Sequence, residues 1–514
     1  MNRKQIATKS SIISVSMQLL TIAVTFIIRK IFICYIGIVY LGLTTVLTDV
    51  LNMLSLSELG VQSAIVFRLY KPLIDNDQKT INEIMLLLKR IYKAIGLFIF
   101  GTGVILLPCL KYMISNVNIS NQAIYLSFVI LLVATCSSYF LSYRRALIYA
   151  DQKHYIISLA DGIVSILCGI LRIIIIIVFN SLYFYLFVSL VQNIASNILL
   201  ERYCKKHYRW LRTQGEIRSA LRRSIYNDTK NVFASKLAGF VYGSTDNLII
   251  SAFISTVMIG YIGNYKSVTN VIKIVMNYMF LPIQPMIGNY LETEKKSASR
   301  ILYDKYLFIR YIVSCVLLIP LLLLTQGIIK AWLGAQYLLE WDIIFLIITD
   351  LYFSCIQGPA GEYITALGWF RFDRNISLIG AAANLLFSLS LIHEWGIKGV
   401  LIGTIISQMI MWQGKVFVIL NKFFHFSKKE IIKNYLTEIF RILLFGIIFI
   451  TCKIILECIN LPDSIWGLSL QFVLIEVVVV LQIVLVHMRS RKRKYLVELF
   501  CDIKEMLESF RLSI

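Results

Sequence analysis

Among the charged residues inside the apolar stretches of this sequence, five are the first candidates for a functional site. The acid is Asp246, in GFVYGSTDNLIISAF, and the four bases are Arg29, Arg172, Lys266 and Lys273. A charge near the centre of a membrane-spanning helix costs about 3 kcal/mol, so such residues usually face a bundle interior or a water-filled cavity. A carboxylate placed there could exchange protons or sodium ions. Grouped cations would suit an anion such as phosphate or pyrophosphate.

These residues also have simpler interpretations. Asp246 would be neutralised by a neighbouring lysine or arginine or held by hydroxyl groups, and Arg29 would extend to the membrane surface. Asp49 and Lys273 are expected at similar depth on equivalent helices, where they would form an ion pair that closes an outer gate. An ordinary static salt bridge would explain the same two residues. The sequence leaves these alternatives open.

The elements that must position these residues are membrane spans. The chain has 514 residues, of which 58% are hydrophobic and 16% charged. Since a span needs roughly 20 apolar residues, the hydropathy pattern predicts an all-α polytopic protein with about fourteen transmembrane helices. They are expected at 11–33, 36–66, 88–110, 122–143, 156–179, 181–200, 232–254, 258–288, 306–326, 342–366, 376–392, 396–419, 434–456 and 465–487.

The net charge of +22 is concentrated in alternate connections between these spans. By the positive-inside rule both termini are therefore cytoplasmic, which agrees with an even number of spans. A basic stretch between spans six and seven and a basic, amphipathic C-terminal tail are expected to lie on an anionic inner leaflet. Nucleic acid is not an expected partner, because no recognition module accompanies the charge.

Cysteine and histidine patterns indicate no metal site, cofactor or catalytic residue. The ten cysteines are scattered singly without a CxxC pair, and the five histidines form no HxxxH or HExxH pair. Buried, unpaired thiols are the expected state of the cysteines.

An internal repeat organises the spans. Thr8-Lys9 recurs as Thr229-Lys230, and Tyr40-Leu41-Gly42 recurs as Tyr261-Ile262-Gly263. Because six spans separate equivalent positions, the two copies run in the same orientation, which is a known transporter plan. The predicted organisation is a six-helix N-lobe (1–200), a cytoplasmic linker (201–231), a six-helix C-lobe (232–420), two extra helices (421–488) and a tail (489–514).

The repeat also predicts which helix faces line a central cavity. The first helix carries a polar stripe, and its copy in the seventh helix is small or polar as well; these stripes are Ser14, Gln18, Thr21, Thr25 and Arg29, then Ser235, Gly239, Tyr242, Asp246 and Ile250. Similar stripes lie on helices two, eight, five and ten: Thr45, Asp49 and Asn52; Lys266, Asn270 and Lys273; Asp161, Ser165, Cys168 and Arg172; Asp350, Ser354, Gln357 and Gly361.

Three segments resemble a known family: GIVYLGLTTVLTDVLNMLSLSELGVQSAIVFRLYKPL, AGFVYGSTDNLIISAF and IGYIGNYKSV. They are similar to bacterial polysaccharide transport proteins, the flippases of O-antigen, capsule and exopolysaccharide repeat units. That family belongs to the superfamily of multidrug and toxin extrusion transporters and the lipid II flippase. The resemblance extends over the whole chain in helix count, repeat and orientation.

The resemblance implies a pair of lobes around a cationic cavity in the bacterial cytoplasmic membrane. Its expected cargo is an undecaprenyl-pyrophosphate-linked oligosaccharide, moved to the outer leaflet by alternating access. The expected coupling ion is H+ or Na+, and the candidate protein partners are polysaccharide polymerase or export proteins. This chain departs from the family in that its cavity charges are few and mixed in sign.

Two other functions compete with this one. A membrane polysaccharide polymerase or glycosyltransferase would need a large outer loop or a cytoplasmic catalytic domain, and the predicted span pattern leaves room for neither. The expectation is therefore that the chain is not an enzyme. The same fold could instead carry lipid II or drugs, although a basic cavity argues against drugs.

Overall fold

The structure is a computed structural model that describes residues 3–55, 61–114, 119–151, 153–212, 217–219, 245–280, 287, 296–459, 464–488, 493–495 and 497–498. These residues form helices joined by turns, with no β-strand among them. Ten helical segments in the described part are long and apolar enough to cross a membrane. The predicted all-α, multi-pass membrane architecture is confirmed. In a bilayer only helices of this kind satisfy their backbone groups without a partner segment.

The chain divides into two compact units, Met1–Gly263 and Asn264–Ile514. The helices of the first unit are α1 (Arg3–Tyr35), α2 (Ile38–Leu54), α3 (Val61–Ile74), α4 (Gln78–Leu106), α5 (Leu110–Met113), α6 (Asn121–Leu141), α7 (Arg145–Ala150), α8 (His154–Phe179), α9 (Leu182–His207) and α10 (245–253). Helix α1 packs against α8, α8 against α9, and α6 against both α9 and α4.

Helix α11 (Thr256–Phe280) begins in the first unit and continues into the second. The remaining helices of the second unit are α12 (Lys296–Trp332), α13 (Trp341–Ile356), α14 (Gly358–Ala366), α15 (Phe370–Val418), α16 (Lys428–Ile459) and α17 (Ile465–Met488). Helix α13 packs against α12 and α15, and the pair α16 and α17 packs against α12.

Helix α15 is a helical hairpin, not one straight rod. Its backbone leaves the helical region at Gly396, whose φ is 55° and ψ −132°, a conformation that glycine tolerates and other residues rarely adopt. Across the hairpin Asn384 donates to the Thr404 hydroxyl at 3.1 Å, and Ser388 donates to the carbonyl of Val400 at 3.3 Å. The two arms correspond to the predicted spans at 376–392 and 396–419.

The repeat is visible in the order of elements. In each half the fourth span is followed by a short helix and a turn before the fifth span begins: α6, α7 and α8 in one half, α13, α14 and α15 in the other. The exact lobe boundaries stay a prediction.

Several predicted features lie outside the described residues. These are the side chain of Ser14, the positions Ser235, Gly239 and Tyr242, most of the 201–231 linker and most of the 489–514 tail.

Candidate functional site

Arg172 is held by the antiparallel neighbour of its own helix. Helix α8 ends at Asn180, whose left-handed backbone (φ 43°) reverses the chain into α9. The guanidinium of Arg172 therefore meets α9, where Nη2 donates to the Ser189 hydroxyl at 3.1 Å and the group lies 5.4 Å from the centre of the Tyr185 ring. Within the described part of the chain Arg172 forms no ion pair, and its buried Nε has no hydrogen-bond partner.

Arg29 reaches the same tyrosine from α1. Both guanidinium groups interact electrostatically with Tyr185, and the Tyr185 ring packs edge-on against Phe32 with centroids 4.8 Å apart. We call Arg29, Arg172, Tyr185 and Ser189 the arginine–tyrosine cluster. The structure thus brings together two of the four basic residues that the sequence singled out.

The arginine–tyrosine cluster lies at one depth in the membrane-spanning region. Arg29 is six residues before the end of α1, Arg172 is seven before the end of α8, and Tyr185 is three after the start of α9. At 1.5 Å per residue this is about 10 Å or less from the helix ends. Burial lowers the local dielectric constant, so a buried charge interacts more strongly with a bound anion than a charge at the surface does.

Helix α11 passes close to the arginine–tyrosine cluster at Gly263. A Cβ atom placed on Gly263 would lie 2.6 Å from Nη2 of Arg29. Glycine at this position is therefore what lets the arginine side chain lie against α11.

The two candidate carboxylates of the first unit, Asp246 and Asp49, lie on helices that a side-chain hydrogen bond joins. Asp246 is buried, with 6% of its surface exposed. Its neighbour Asn247 donates from Nδ2 to the Asp49 carboxylate at 2.8 Å. Helix α10, which carries Asp246, is therefore bound directly to α2, which carries Asp49. Sequence reasoning missed Asn247 as the residue that joins them.

Further contacts fix α10 and α11 against the first unit. Ser251 donates to the carbonyl of Met113 at 2.7 Å and lies 2.8 Å from the Thr256 hydroxyl. The starts of α2 and α11 cross at glycines, because a Cβ on Gly42 would lie 2.1 Å from the Thr256 carbonyl oxygen and one on Gly260 would lie 2.7 Å from that of Ile38. Such contact of backbone on backbone is typical of closely packed membrane helices.

The second unit holds the two candidate lysines. Lys266 and Lys273 lie on α11 and are half-buried. Lys273, Arg310 and Asp350 all lie within electrostatic range of the buried Cys355 thiol. Lys273 belongs to the second unit and Asp49 to the first, so their predicted gate pairing stays a prediction.

The second unit also contains two polar networks that sequence reasoning missed. Asp350 accepts a hydrogen bond from Gln408 of α15 at 2.7 Å. Arg310 donates to the Cys355 carbonyl at 2.9 Å and to Glu362 at 3.0 Å, with only 8% and 20% of the Arg310 and Glu362 side chains exposed. A basic residue inside the predicted 306–326 span was the available signal for Arg310.

A saturated ion pair occupies the other end of α8. Arg145 donates twice to Asp161, at 2.7 and 2.8 Å, and once each to Asn197 and Ser196, at 2.9 Å. The sequence placed Asp161 on a polar stripe that is expected to line a cavity. The structure pairs Asp161 with Arg145 across the turn that joins α7 to α8.

The first unit also contains a polar cluster outside its membrane spans, formed by the connection between α7 and α8 and by the residue that follows α9. Tyr208 donates to Asp151 at 2.6 Å, and Lys153 pairs with Asp151 at 2.7 Å. Burial and the neighbouring Asp151 charge raise the pKa of the Tyr208 hydroxyl. Burial opposes the charged form of Lys153, but the hydrogen bond and charge of Asp151 outweigh it, so the pKa of Lys153 is raised.

No cluster of three or more His, Cys, Asp or Glu side chains that could hold a metal ion occurs within the described residues. The polar atoms described above suit charge–charge and hydrogen-bond recognition of an anion or a small cation.

Comparison with known proteins yields structural matches only. No protein-family model matches the chain, and no curated protein sequence matches it significantly. Among solved structures it is similar to "Lipid II flippase MurJ, inward closed conformation", with TM-score 0.67, 13% identity, and coverage of 93% of this chain and 99% of that one. It is also similar to an inward-facing "multidrug resistance MATE family transporter of the MOP superfamily", with TM-score 0.60, 11% identity, and coverage of 80% and 98%.

At these identities the matches show a common fold. The chain therefore has the fold of these two proteins over most of its length.

Proposed function

We propose that the chain is a flippase in the bacterial cytoplasmic membrane, moving undecaprenyl-pyrophosphate-linked oligosaccharide repeat units by alternating access for capsule, O-antigen or exopolysaccharide synthesis. The arginine–tyrosine cluster is the observation that carries this proposal. Two guanidinium groups converge on one tyrosine inside the membrane-spanning region, and arginine donors match phosphate oxygens in geometry and charge. The fold shared with a protein named as a lipid II flippase supports the same function.

The proposed path of the pyrophosphate begins at Arg29 and Arg172 and continues past Lys266 and Lys273 of the second unit. In this proposal an ion pair of Asp49 with Lys273 closes the outer gate. Membrane lipids, and a polysaccharide polymerase or export proteins, are the proposed surroundings and partners.

Asp246 is the proposed site of cation coupling, by H+ or Na+. Its burial and its place beside the Asn247–Asp49 hydrogen bond support this role. Binding a proton or Na+ at Asp246 would remove one negative charge next to the contact between α10 and α2. A change in that contact is the proposed link between the ion and the moving helices.

The decisive experiment measures lipid-linked repeat units on the cytoplasmic face of the membrane. A strain lacking this protein is expected to accumulate them, and the wild-type gene is expected to clear them. The double variant Arg29→Gln/Arg172→Gln is expected to leave them in place at an unchanged protein amount. Full clearance by that variant would contradict the anion-binding role.

The coupling role is tested separately with Asp246→Asn. Its matched control is Glu476→Gln, a mid-helix carboxylate of α17 that has no part in the proposal. Asp246→Asn is expected to lose rescue, and to lose the dependence of transport on the ion gradient, whereas the control keeps both. Full rescue by Asp246→Asn would contradict the coupling hypothesis but would not affect the cargo hypothesis.

Lipid II is the second candidate cargo, because the chain shares its fold with a structure named for that activity. It also bears a pyrophosphate, so the same cluster would serve. Expression of this chain in a strain depleted of its own lipid II flippase separates the two cargoes. Rescued growth, together with no accumulation of repeat units in the strain that lacks this protein, would select lipid II.

A further inference from the structure

A groove separate from the arginine–tyrosine cluster opens on the surface of the second unit. It lies between the start of α13 and the second arm of α15 and has a volume of about 500 Å³. That volume is in the range of small-molecule sites. Its lining residues are Asp342, Phe345, Leu346, Trp395, Lys398 and Ile402. The body of the groove is apolar and its charged groups lie at one end.

The charged end is an ion triad with one positive and two negative groups. Nζ of Lys398 donates to Asp342 at 2.7 Å and to Glu340 at 2.9 Å. An ammonium group has three N–H donors, so one remains for a further acceptor. Each carboxylate has a second oxygen, and both carboxylate side chains are 71% exposed.

Two tryptophans place this end of the groove at the membrane surface. Trp341 and Trp395 are each about half exposed and flank the triad along the chain. Exposed tryptophan is typical of the boundary between headgroups and hydrocarbon. The apolar body of the groove then points into the acyl-chain region.

We propose that this groove is a binding site for a zwitterionic phospholipid with a primary ammonium headgroup, such as a phosphatidylethanolamine. The lipid ammonium binds the outer oxygens of Glu340 and Asp342, the phosphate accepts from the third N–H of Lys398, and an acyl chain lies on Phe345, Leu346 and Ile402. The net charge of −1 at the triad repels anionic lipids and the proposed pyrophosphate cargo, so the groove is not part of the cargo path.

The charge argument sets the experiment. Delipidated protein in detergent is titrated with phosphatidylethanolamine or phosphatidylglycerol, and bound lipids are counted by native mass spectrometry. Since one surface charge changes lipid affinity by about 1 kcal/mol, the wild type is expected to bind one phosphatidylethanolamine about fivefold more tightly than phosphatidylglycerol. The variant Glu340→Gln/Asp342→Asn turns the site to +1 and is expected to reverse the preference.

Two further variants complete the test. Ile402→Trp fills the apolar body and is expected to abolish the tight site for both lipids. Lys453→Gln/Glu457→Gln removes another exposed lysine–glutamate pair, at the end of α16 and away from the groove, and is expected to behave as wild type. Equal binding of both lipids by the wild type, or an unchanged preference after Glu340→Gln/Asp342→Asn, overturns the proposal. So does equally tight binding of free phosphoethanolamine, since that would point to a soluble ligand.

Discussion

Helix α8 contacts Arg145 of α7 near its start and carries Arg172 near its end, and the protein treats these two arginines in opposite ways. At one end Arg145 packs on α8 and uses its donors on Asp161, Asn197 and Ser196. About 16 Å away along the same helix, Arg172 has one hydroxyl partner and an aromatic ring. Both arginines are partly buried, so burial alone does not distinguish them.

The difference lies in charge balance. Asp161 neutralises Arg145, whereas no described carboxylate pairs with Arg172. An arginine that is bound to a carboxylate and to further side chains of the protein holds helices together. An arginine with spare donors can bind an anion from outside the protein.

The largest effect is expected on the stability of the protein when Arg145, the arginine that holds helices together, is replaced. Arg145→Gln leaves Asp161 without its cation, which costs roughly 3–5 kcal/mol for a fully buried pair; about 2 kcal/mol is expected here because the Asp161 side chain is 43% exposed. Thermal unfolding in detergent measures it. The double variant Arg145→Gln/Asp161→Asn is expected to recover part of the loss, and a double variant less stable than the single one would contradict the pairing.

Arg172→Gln is expected to reduce transport about tenfold, equivalent to about 1.4 kcal/mol, with little change in thermal stability. The reason is that the lost cation has no carboxylate partner among the described residues, so its removal leaves no buried charge uncompensated. Arg172→Lys keeps the positive charge but lacks the planar pair of donors. Its transport is expected to lie between that of the wild type and that of Arg172→Gln. If Arg172→Gln unfolds like Arg145→Gln, the comparison between the two ends of α8 breaks.

A milder change displaces Arg29 without altering its charge. In Gly263→Ala the new methyl group would lie 2.6 Å from the end of the Arg29 side chain, which is flexible and can shift. Transport is expected to fall about threefold while the fold persists, since an anion contact is sensitive to position. Gly446→Ala is the control, because nothing lies within 4 Å of its Cβ. Equal transport by both alanine variants would argue against a role for the position of Arg29.

The smallest effect is expected at the polar cluster of Asp151, Lys153 and Tyr208, whose titration changes stability only at alkaline pH. The folded state raises the pKa of Tyr208 and of Lys153, so it holds their protons more tightly than the unfolded chain does. Stability is therefore unaffected near pH 7 and falls as the pH rises above about 10, the ordinary pKa of tyrosine. Tyr208→Phe removes the tyrosine contribution and is expected to show a shallower decline in alkaline unfolding curves. A decline as steep as in the wild type would contradict it.

The sequence pattern predicted the multi-pass helical architecture. It also singled out Arg29 and Arg172 of the arginine–tyrosine cluster, but not their partners Tyr185 and Ser189. A hairpin that turns at Asn180 and Ser181 places position 172 opposite position 189, and Ser189 is the residue that Arg172 bonds. The same geometry across the turn at 151–153 brings Arg145 to Asp161. The sequence interpretation missed both pairs because it considered single helix faces and not neighbouring arms.

Other contacts had no local signal. Asn247 and Asp49 are 198 positions apart, and Arg29 meets Tyr185 from a helix that is distant in sequence. Several polar residues share each stripe, and the hydropathy pattern assigns all of them to the same helix face without distinguishing among them. Which member finds a partner depends on how far each helix is rotated and shifted against its neighbour.

The sequence by itself determined the all-α, multi-pass architecture and the presence of charges that must avoid lipid. It did so because hydrocarbon thickness and helix periodicity act on each segment separately. The tertiary structure alone decided which polar and charged residues become partners. That outcome depends on close packing between distant helices, as at Gly42, Gly260 and Gly263, where contact distances of a few ångströms set the partners.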